Sequence, residues 1–223
     1  IQRKDNAGLF LKGLSDMNLP YKFIVSGSGS LELKEKVAES LAGRKRIFIL
    51  NPLSFEEFVN YKTQYHYEKK LTEFLETEAE NGQKLLKEYL SFGGYPKVVT
   101  AETAEEKSEA IKDLFESYLE KDIAGLLNLK RTENFSNLVR TLSSQMGKLV
   151  NYSELASTLG ITERTVKHYI WYLTKTFVGD KISPFTRRLR KEIVKSPVFY
   201  FTDTGLANFA TRDFYLQEFP TLG

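Results

Sequence analysis

Cysteine is absent from the 223 residues, which excludes disulfides and thiolate metal sites. Histidine occurs only as His66 and His168, so a histidine-rich metal centre is excluded too. No apolar run approaches the roughly 20 residues of a membrane-spanning helix, and no signal-peptide pattern is present. No paired carboxylates and no serine–histidine arrangement mark a hydrolytic centre. An intact phosphate-binding loop is missing as well. Gly8 and Gly13 have its spacing, but Leu14 stands where the lysine belongs and no strand precedes the segment. What remains is a chain of ordinary globular composition, 41% hydrophobic and 27% charged, without internal repeats or low-complexity tracts. Its length allows one to two domains. The expected compartment is the cytoplasm, with no membrane partner and no metal ligands in the chain itself.

Charge is unevenly placed. The net value is +3, but residues 164–195 alone hold nine basic side chains against two acidic ones. A local excess of this size suits a polyanionic partner. The stretch Tyr152 to Phe177 explains where it sits. It reads as two short helices around a turn at Gly160, with Ser153 as the expected cap of the first and Thr162 of the second. In the second helix Val166, Ile170, Leu173 and Phe177 form an apolar stripe, while Arg164, Lys167, His168, Trp171 and Lys175 occupy the opposite face. A recognition helix needs that division, since its outer face meets phosphates and base edges. The same pattern also fits a helical hairpin whose charged face is merely solvated. After Phe177 the period becomes alternating, and Lys181–Phe185 and Val198–Thr202 read as two strands. The hairpin between them carries Arg187, Arg188, Arg190 and Lys191. A basic hairpin directly after a recognition helix is the pattern of a winged helix. Candidate DNA contacts are therefore Arg164, Lys167 and Trp171 on the helix and Arg187, Arg188, Arg190 and Lys191 on the wing.

Upstream, Asp5–Met17 reads as a helix, and Tyr21–Ser26 and Ile47–Leu50 as short buried strands. Between them lie a glycine–serine turn at Gly27–Ser30 and a helix over Leu31–Leu41. Strand, helix, strand and helix in succession form a parallel α/β unit, the end of a larger sheet. Ser54 and Glu57 form a capping box for a helix over Phe55–Tyr61. Helices are expected over Gln64–Asn81, Gln83–Phe92 and Glu105 to about Leu127, with Gly93–Gly94 stopping the second. Thr132 is the expected cap of a helix with Phe135, Leu138, Val139, Leu142 and Met146 as its stripe. Asp203-Thr204-Gly205-Leu206 is expected to cap a short final helix.

Six stretches taken together resemble a prokaryotic family of AAA-type ATPases. They are KFIVSGSGS (Lys22–Ser30), SLAGRKRIFIL (Ser40–Leu50), PLSFEEF (Pro52–Phe58), FGGYP (Phe92–Pro96), YLEKDI (Tyr118–Ile123) and KSPVFYFTDTGL (Lys195–Leu206). The resemblance implies that a P-loop and an acidic Mg²⁺-binding strand precede Ile1-Gln2, and that a nuclease-like domain follows the chain. On that expectation the chain is an internal piece of a longer protein whose parent binds ATP and Mg²⁺, with neither expected on the piece itself. The resemblance further implies that Ser26 helps position the attacking water. It implies that Arg44 is an arginine finger acting on a neighbouring subunit's γ-phosphate, and hence a homo-oligomer. Gly94 and Pro96 match a Gly-Gly-x-Pro turn that packs on adenine in related ATPases. Each position also has a plain structural reading: a turn hydroxyl at Ser26, a surface arginine at Arg44, a helix stop at Gly94 and Pro96.

The expected architecture is mostly α with a small α/β part. Residues 1–61 close an ATPase sheet, 62–129 form a helical lid, 130–205 a winged helix-turn-helix, and 206–223 a tail or the start of a further domain. The expected function is an ATP-driven, double-stranded-DNA-associated protein whose piece, lacking the P-loop, does not hydrolyse ATP. The alternative is a winged helix that docks protein, or a transcription-regulator module, with no enzymatic role.

Overall fold

Side-chain caps open five of the ten helices among the described residues. The computed structural model describes residues 7–27, 46–117, 133–185 and 196–211. Helix α1 (Ala7–Asp16) is followed by irregular chain. Helix α2 (Phe55–Lys62) begins at the Ser54–Glu57 box: the Glu57 N–H donates to Ser54 Oγ, and the Ser54 N–H donates back to the Glu57 carboxylate at 2.8 Å. Helices α3 (Leu71–Thr77), α4 (Ala79–Phe92), α5 (Pro96–Val99) and α6 (Ala104–Leu114) follow. A second box at Thr103 and Glu106 opens α6. Then come α7 (Glu133–Ser144), α8 (Tyr152–Leu159), α9 (Glu163–Lys175), strands β1 (Gly179–Ile182) and β2 (Val198–Phe201), and α10 (Thr204–Thr211).

The described residues are mostly helical, with one two-stranded antiparallel sheet pairing Gly179 with Phe201 and Ile182 with Val198. Leu149, between α7 and α8, adds a single bridge to Val198. The period of two decides the faces of this ribbon. Phe199 and Phe201 point inward and are buried, whereas Ile182 and Tyr200 stay exposed.

Two apolar clusters hold the helices. The larger gathers Ile111, Phe135, Leu138, Leu155, Val166, Ile170, Leu173, Phe199 and Leu206, so α6 to α10 and the ribbon share one core. The smaller consists of Phe58, Val59, Phe74, Leu85 and Val99. Consecutive residues of α5 serve both, Val98 in the larger and Val99 in the smaller.

Several expectations are corrected. Residues 21–27 and 46–50 are irregular and exposed, not strands. A strand is defined by a hydrogen-bonded neighbour, and among the described residues neither segment has one. Ser26 therefore does not end a strand. The continuous helix expected from Gln64 is broken: Gln64, Tyr65 and Lys69 have positive φ, and helix resumes only at Leu71. The aromatic-rich run here has weak helix propensity. Tyr67 instead packs its ring on Phe74 at 5.1 Å and donates its hydroxyl to Glu78 at 2.7 Å. Ser153 is not the cap of α8. The helix starts two residues earlier, so Asn151 Oδ1 accepts from the Glu154 N–H and Ser153 donates to that same oxygen. Phe177 lies beyond α9 with φ of 60°, and Val178 takes the next fully buried place. The expected boundary at residue 205 falls inside α10, which packs on α4 and α7. The helix expected over Leu31–Leu41, the Thr132 cap and everything from Tyr118 to Arg131 lie outside the described residues.

One ionic cluster ties α2, α4 and α6. Glu88 receives Lys107 at 2.7 Å and Lys62 at 3.0 Å, and Lys107 is buried. Burial pushes the Glu88 carboxyl up, but the two ammonium groups outweigh it and hold the group below its ordinary value. A depressed carboxyl stabilises the fold above its unfolded pKa and loses that contribution as pH falls through the folded one. Glu88→Gln is expected to lower stability at pH 7 by about 1–2 kcal/mol, because a buried ammonium loses its counter-charge. In denaturant titrations the gap to wild type should close progressively below about pH 4, where glutamate protonates.

Candidate functional site

Helix α9 divides its residues as its stripe requires. Val166, Tyr169, Ile170 and Leu173 are buried, which turns Arg164, Lys167, His168 and Trp171 outward, all exposed. The turn that aims it is fixed by Gly160, whose φ of 63° is left-handed and whose N–H returns to α8. The Ile161 N–H closes the same turn on the Ala156 carbonyl at 3.0 Å, a Schellman arrangement. Thr162 then caps α9 through the Thr165 N–H at 3.2 Å. Arg164, Lys167 and Trp171 are brought to one face, as expected from their spacing. Lys167 is not isolated on it. Its ammonium lies 3.5 Å from the Glu163 carboxylate and 5.2 Å from the centre of the Tyr152 ring on α8. His168 leans on Tyr172 at 4.9 Å, and Trp171 meets Tyr172 edge-on at 5.0 Å. Arg187, Arg188, Arg190 and Lys191 lie outside the described residues.

A second constellation surrounds Asp203. Its side chain is buried, with 4% exposure. One oxygen accepts from the Leu206 N–H at 3.0 Å and so caps α10. The other accepts from the Gly94 N–H at 2.7 Å, 109 positions earlier. Burial raises the Asp203 carboxyl, and the N–H groups of Gly94, Leu206 and Gly205 oppose that rise. The Gly94 carbonyl accepts from the Leu53 N–H at 2.8 Å, and the Tyr89 hydroxyl donates to the Leu53 carbonyl at 2.8 Å. Gly93 has φ of 77°, and a Cβ there would strike Asp203; one at Gly94 would strike the Leu53 carbonyl oxygen. Asn208 adds donations to the carbonyls of Leu90 and Ser91, both at 2.9 Å. PLSFEEF, FGGYP and the end of KSPVFYFTDTGL thus meet at one buried point.

Gly94 is placed inside this junction, with its N–H and carbonyl both engaged, while Pro96 is exposed at the first turn of α5. Ser26 is exposed on irregular chain, and Arg44 lies outside the described residues. Among the described residues no group of histidine, aspartate and glutamate is positioned to hold a metal ion, and no helix is long and apolar enough to cross a membrane. Sequence reasoning found Asp203 as a helix cap but missed its second partner. The available signal was a Gly-Gly pair, which leaves backbone N–H groups needing an acceptor.

Asp203→Ala removes the acceptor for at least two buried N–H groups, and an expected cost of about 3 kcal/mol follows from leaving them unpaired. Gly94→Ala should cost about 2 kcal/mol through overpacking against Leu53. Urea unfolding followed by Trp171 fluorescence measures both, and a change in either variant below ~0.5 kcal/mol would show the junction to be slack.

Residues 1–59 match a family model described as "AAA domain", an AAA-type, ATPase-like N-terminal region. Residues 83–216 match the model described as "Domain of unknown function (DUF8612)". An uncharacterized protein of Haemophilus influenzae is 26% identical over 85% of the chain and 48% of its own length. One from Methanocaldococcus jannaschii is 22% identical over 94% and 47%, and one from Mycobacterium bovis 25% identical over 84% and 37%. The chain spans about half the length of the first two relatives. No solved structure matches. With more than half of its residues under that model, the chain belongs to the family described as Domain of unknown function (DUF8612), and it joins that domain to a region similar to the AAA domain.

Proposed function

We propose that the chain couples an AAA-type, nucleotide-responsive region to a winged helix that binds double-stranded DNA. The carrying observation is the order α7, Leu149, α8, α9, β1, β2, in which Leu149 and the two strands pair through Val198 and α9 turns a basic, aromatic face outward. That order supports a winged-helix reading, in which α9 would be the second helix of a helix-turn-helix pair and would enter a major groove. Arg164, Lys167 and Trp171 would face the duplex. Arg187, Arg188, Arg190 and Lys191, in the segment between β1 and β2, would reach neighbouring phosphates or a minor groove.

The match of residues 1–59 supports ATP and Mg²⁺ as ligands of the longer protein. In it, Ser26 would orient the attacking water and Arg44 would stabilise charge on the γ-phosphate of an adjacent subunit, which requires a homo-oligomer. Gly94 and Pro96 would pack beside adenine. The proposed units are residues 1–61, 62–129 and 130–211, the last boundary being moved past α10, and the chain by itself would not turn over ATP. Nucleotide state would set the angle between the ATPase region and the winged helix.

A second reading, docking of a protein, is favoured by the outer face of the ribbon, where Leu149 and Ile182 are 62% and 57% exposed. Salt dependence separates the two. If about four to six basic side chains neutralise phosphates, log affinity for duplex DNA falls against log salt with a slope of roughly −4 to −5. Arg188→Ala with Arg190→Ala should make that slope shallower by about 2 for every sequence. Absence of binding at low salt, or binding indifferent to salt and to these changes, would assign the surface to protein docking.

A further inference from the structure

The charged groups on the first turn of α9 do not form a uniformly basic patch. Thr162 caps the helix, so Glu163 and Arg164 are its first two residues, the part of a recognition helix that meets base edges. Glu163 is half exposed, and its carboxylate lies 3.5 Å from the Lys167 ammonium. The pair is solvated, so as a contact it is weak. Its effect on a third charge is larger. For a phosphate beside Lys167 the carboxylate offsets part of the ammonium's attraction, and Lys167, also held over the Tyr152 ring, contributes less than a cation standing alone. Arg164 is then the cation of this turn with no acidic neighbour among the described ion pairs.

An acidic side chain on a surface that meets DNA is a liability unless it finds a donor. In the major groove the donors are few: the N4 amino group of cytosine and the N6 amino group of adenine. Guanine and thymine offer only acceptors or a methyl group at the same place. A carboxylate there therefore penalises phosphate contact everywhere and is compensated only at sites presenting an amino group. Beside it, Arg164 is suited to the paired acceptors of guanine.

We propose that Glu163 is the specificity-determining residue of the α9 surface, weakening contact with duplex DNA at large and admitting sites that place a base-edge amino group opposite it. The inference rests on the duplex-DNA reading above. Glu163 acts in two ways at once: it masks Lys167 from phosphate, and it selects for cytosine or adenine at the position it meets, beside a guanine read by Arg164.

The test is a double-mutant cycle with Glu163→Gln and Lys167→Gln, using a pool of random duplexes and the best site selected from that pool by the wild-type chain. Glu163→Gln should tighten binding to the random pool by about fivefold and steepen its salt slope by about 1, since one more cation becomes available to phosphate. It should also reduce the preference for the selected site roughly tenfold, the scale of one base contact. Lys167→Gln alone should weaken random-pool binding clearly less than it does beside Glu163→Gln, and in combination it should abolish the gain from Glu163→Gln. Circular dichroism of each variant checks that α9 is retained. If Glu163→Gln leaves both the random-pool affinity and the preference unchanged, or if Lys167→Gln alone weakens random binding as much as it does beside Glu163→Gln, the assignment is overturned while the DNA reading stands. If the wild-type chain binds no duplex at about 50 mM salt, where phosphate contacts are strong, the reading beneath it falls and the assignment falls with it.

Discussion

A buried carboxylate is the constraint on which the arrangement of this chain depends. Gly93 and Gly94 end α4 in a conformation that leaves backbone N–H groups inside the protein, and only an acceptor with two free oxygens can serve that turn and the start of α10 together. Asp203 does so from the end of β2. Because burial of a lone carboxylate is costly, each N–H it accepts matters, and the groups around it have little freedom to move. Gly94 in turn holds Leu53, which leads into α2. One side chain thereby connects the segment before α2, the end of α4 and the ribbon that follows α9.

That junction gives the outward face of α9 a fixed frame. The ribbon packs through Phe199 and Phe201 into the core that also receives Val166, Ile170 and Leu173, so α9 cannot rotate about its own axis without exposing them. Burying a stripe of that kind is worth several kcal/mol, far more than any contact on the opposite face. The core therefore decides which residues of α9 look outward, and those residues happen to be the charged and aromatic ones. The smaller cluster around Phe58 and Phe74 is linked to the rest through α5 and through the ion pairs of Glu88.

Local features were legible in the sequence because their causes lie within a few residues. The Ser54–Glu57 box, the Gly160 turn, the Thr162 cap, the stop at Gly93 and the stripes of α7 as far as Leu142 and of α9 as far as Leu173 all follow from spacing and side-chain chemistry. Where the sequence misled, a competing partner was nearby or absent. Asn151 displaced Ser153 as a cap because α8 begins two residues earlier. Tyr67 folded the chain back onto Phe74 where a continuous helix was expected. The apolar runs Tyr21–Ser26 and Ile47–Leu50 have the composition of strands, but a strand is a relation between segments and composition supplies only one side of it.

The sequence by itself determined the mostly helical character, the turn at Gly160 between two short helices and the amphipathic division of α9, since periodicity and capping act over one or two turns. Only the tertiary structure decided that Asp203 meets Gly94 across 109 positions, that Leu149 joins Val198, and that Lys167 shares its charge with Glu163 and Tyr152. Such pairings depend on how packed elements bring distant backbone groups within hydrogen-bonding distance and on which rotamers the core leaves open. Neither is encoded in any short window of residues.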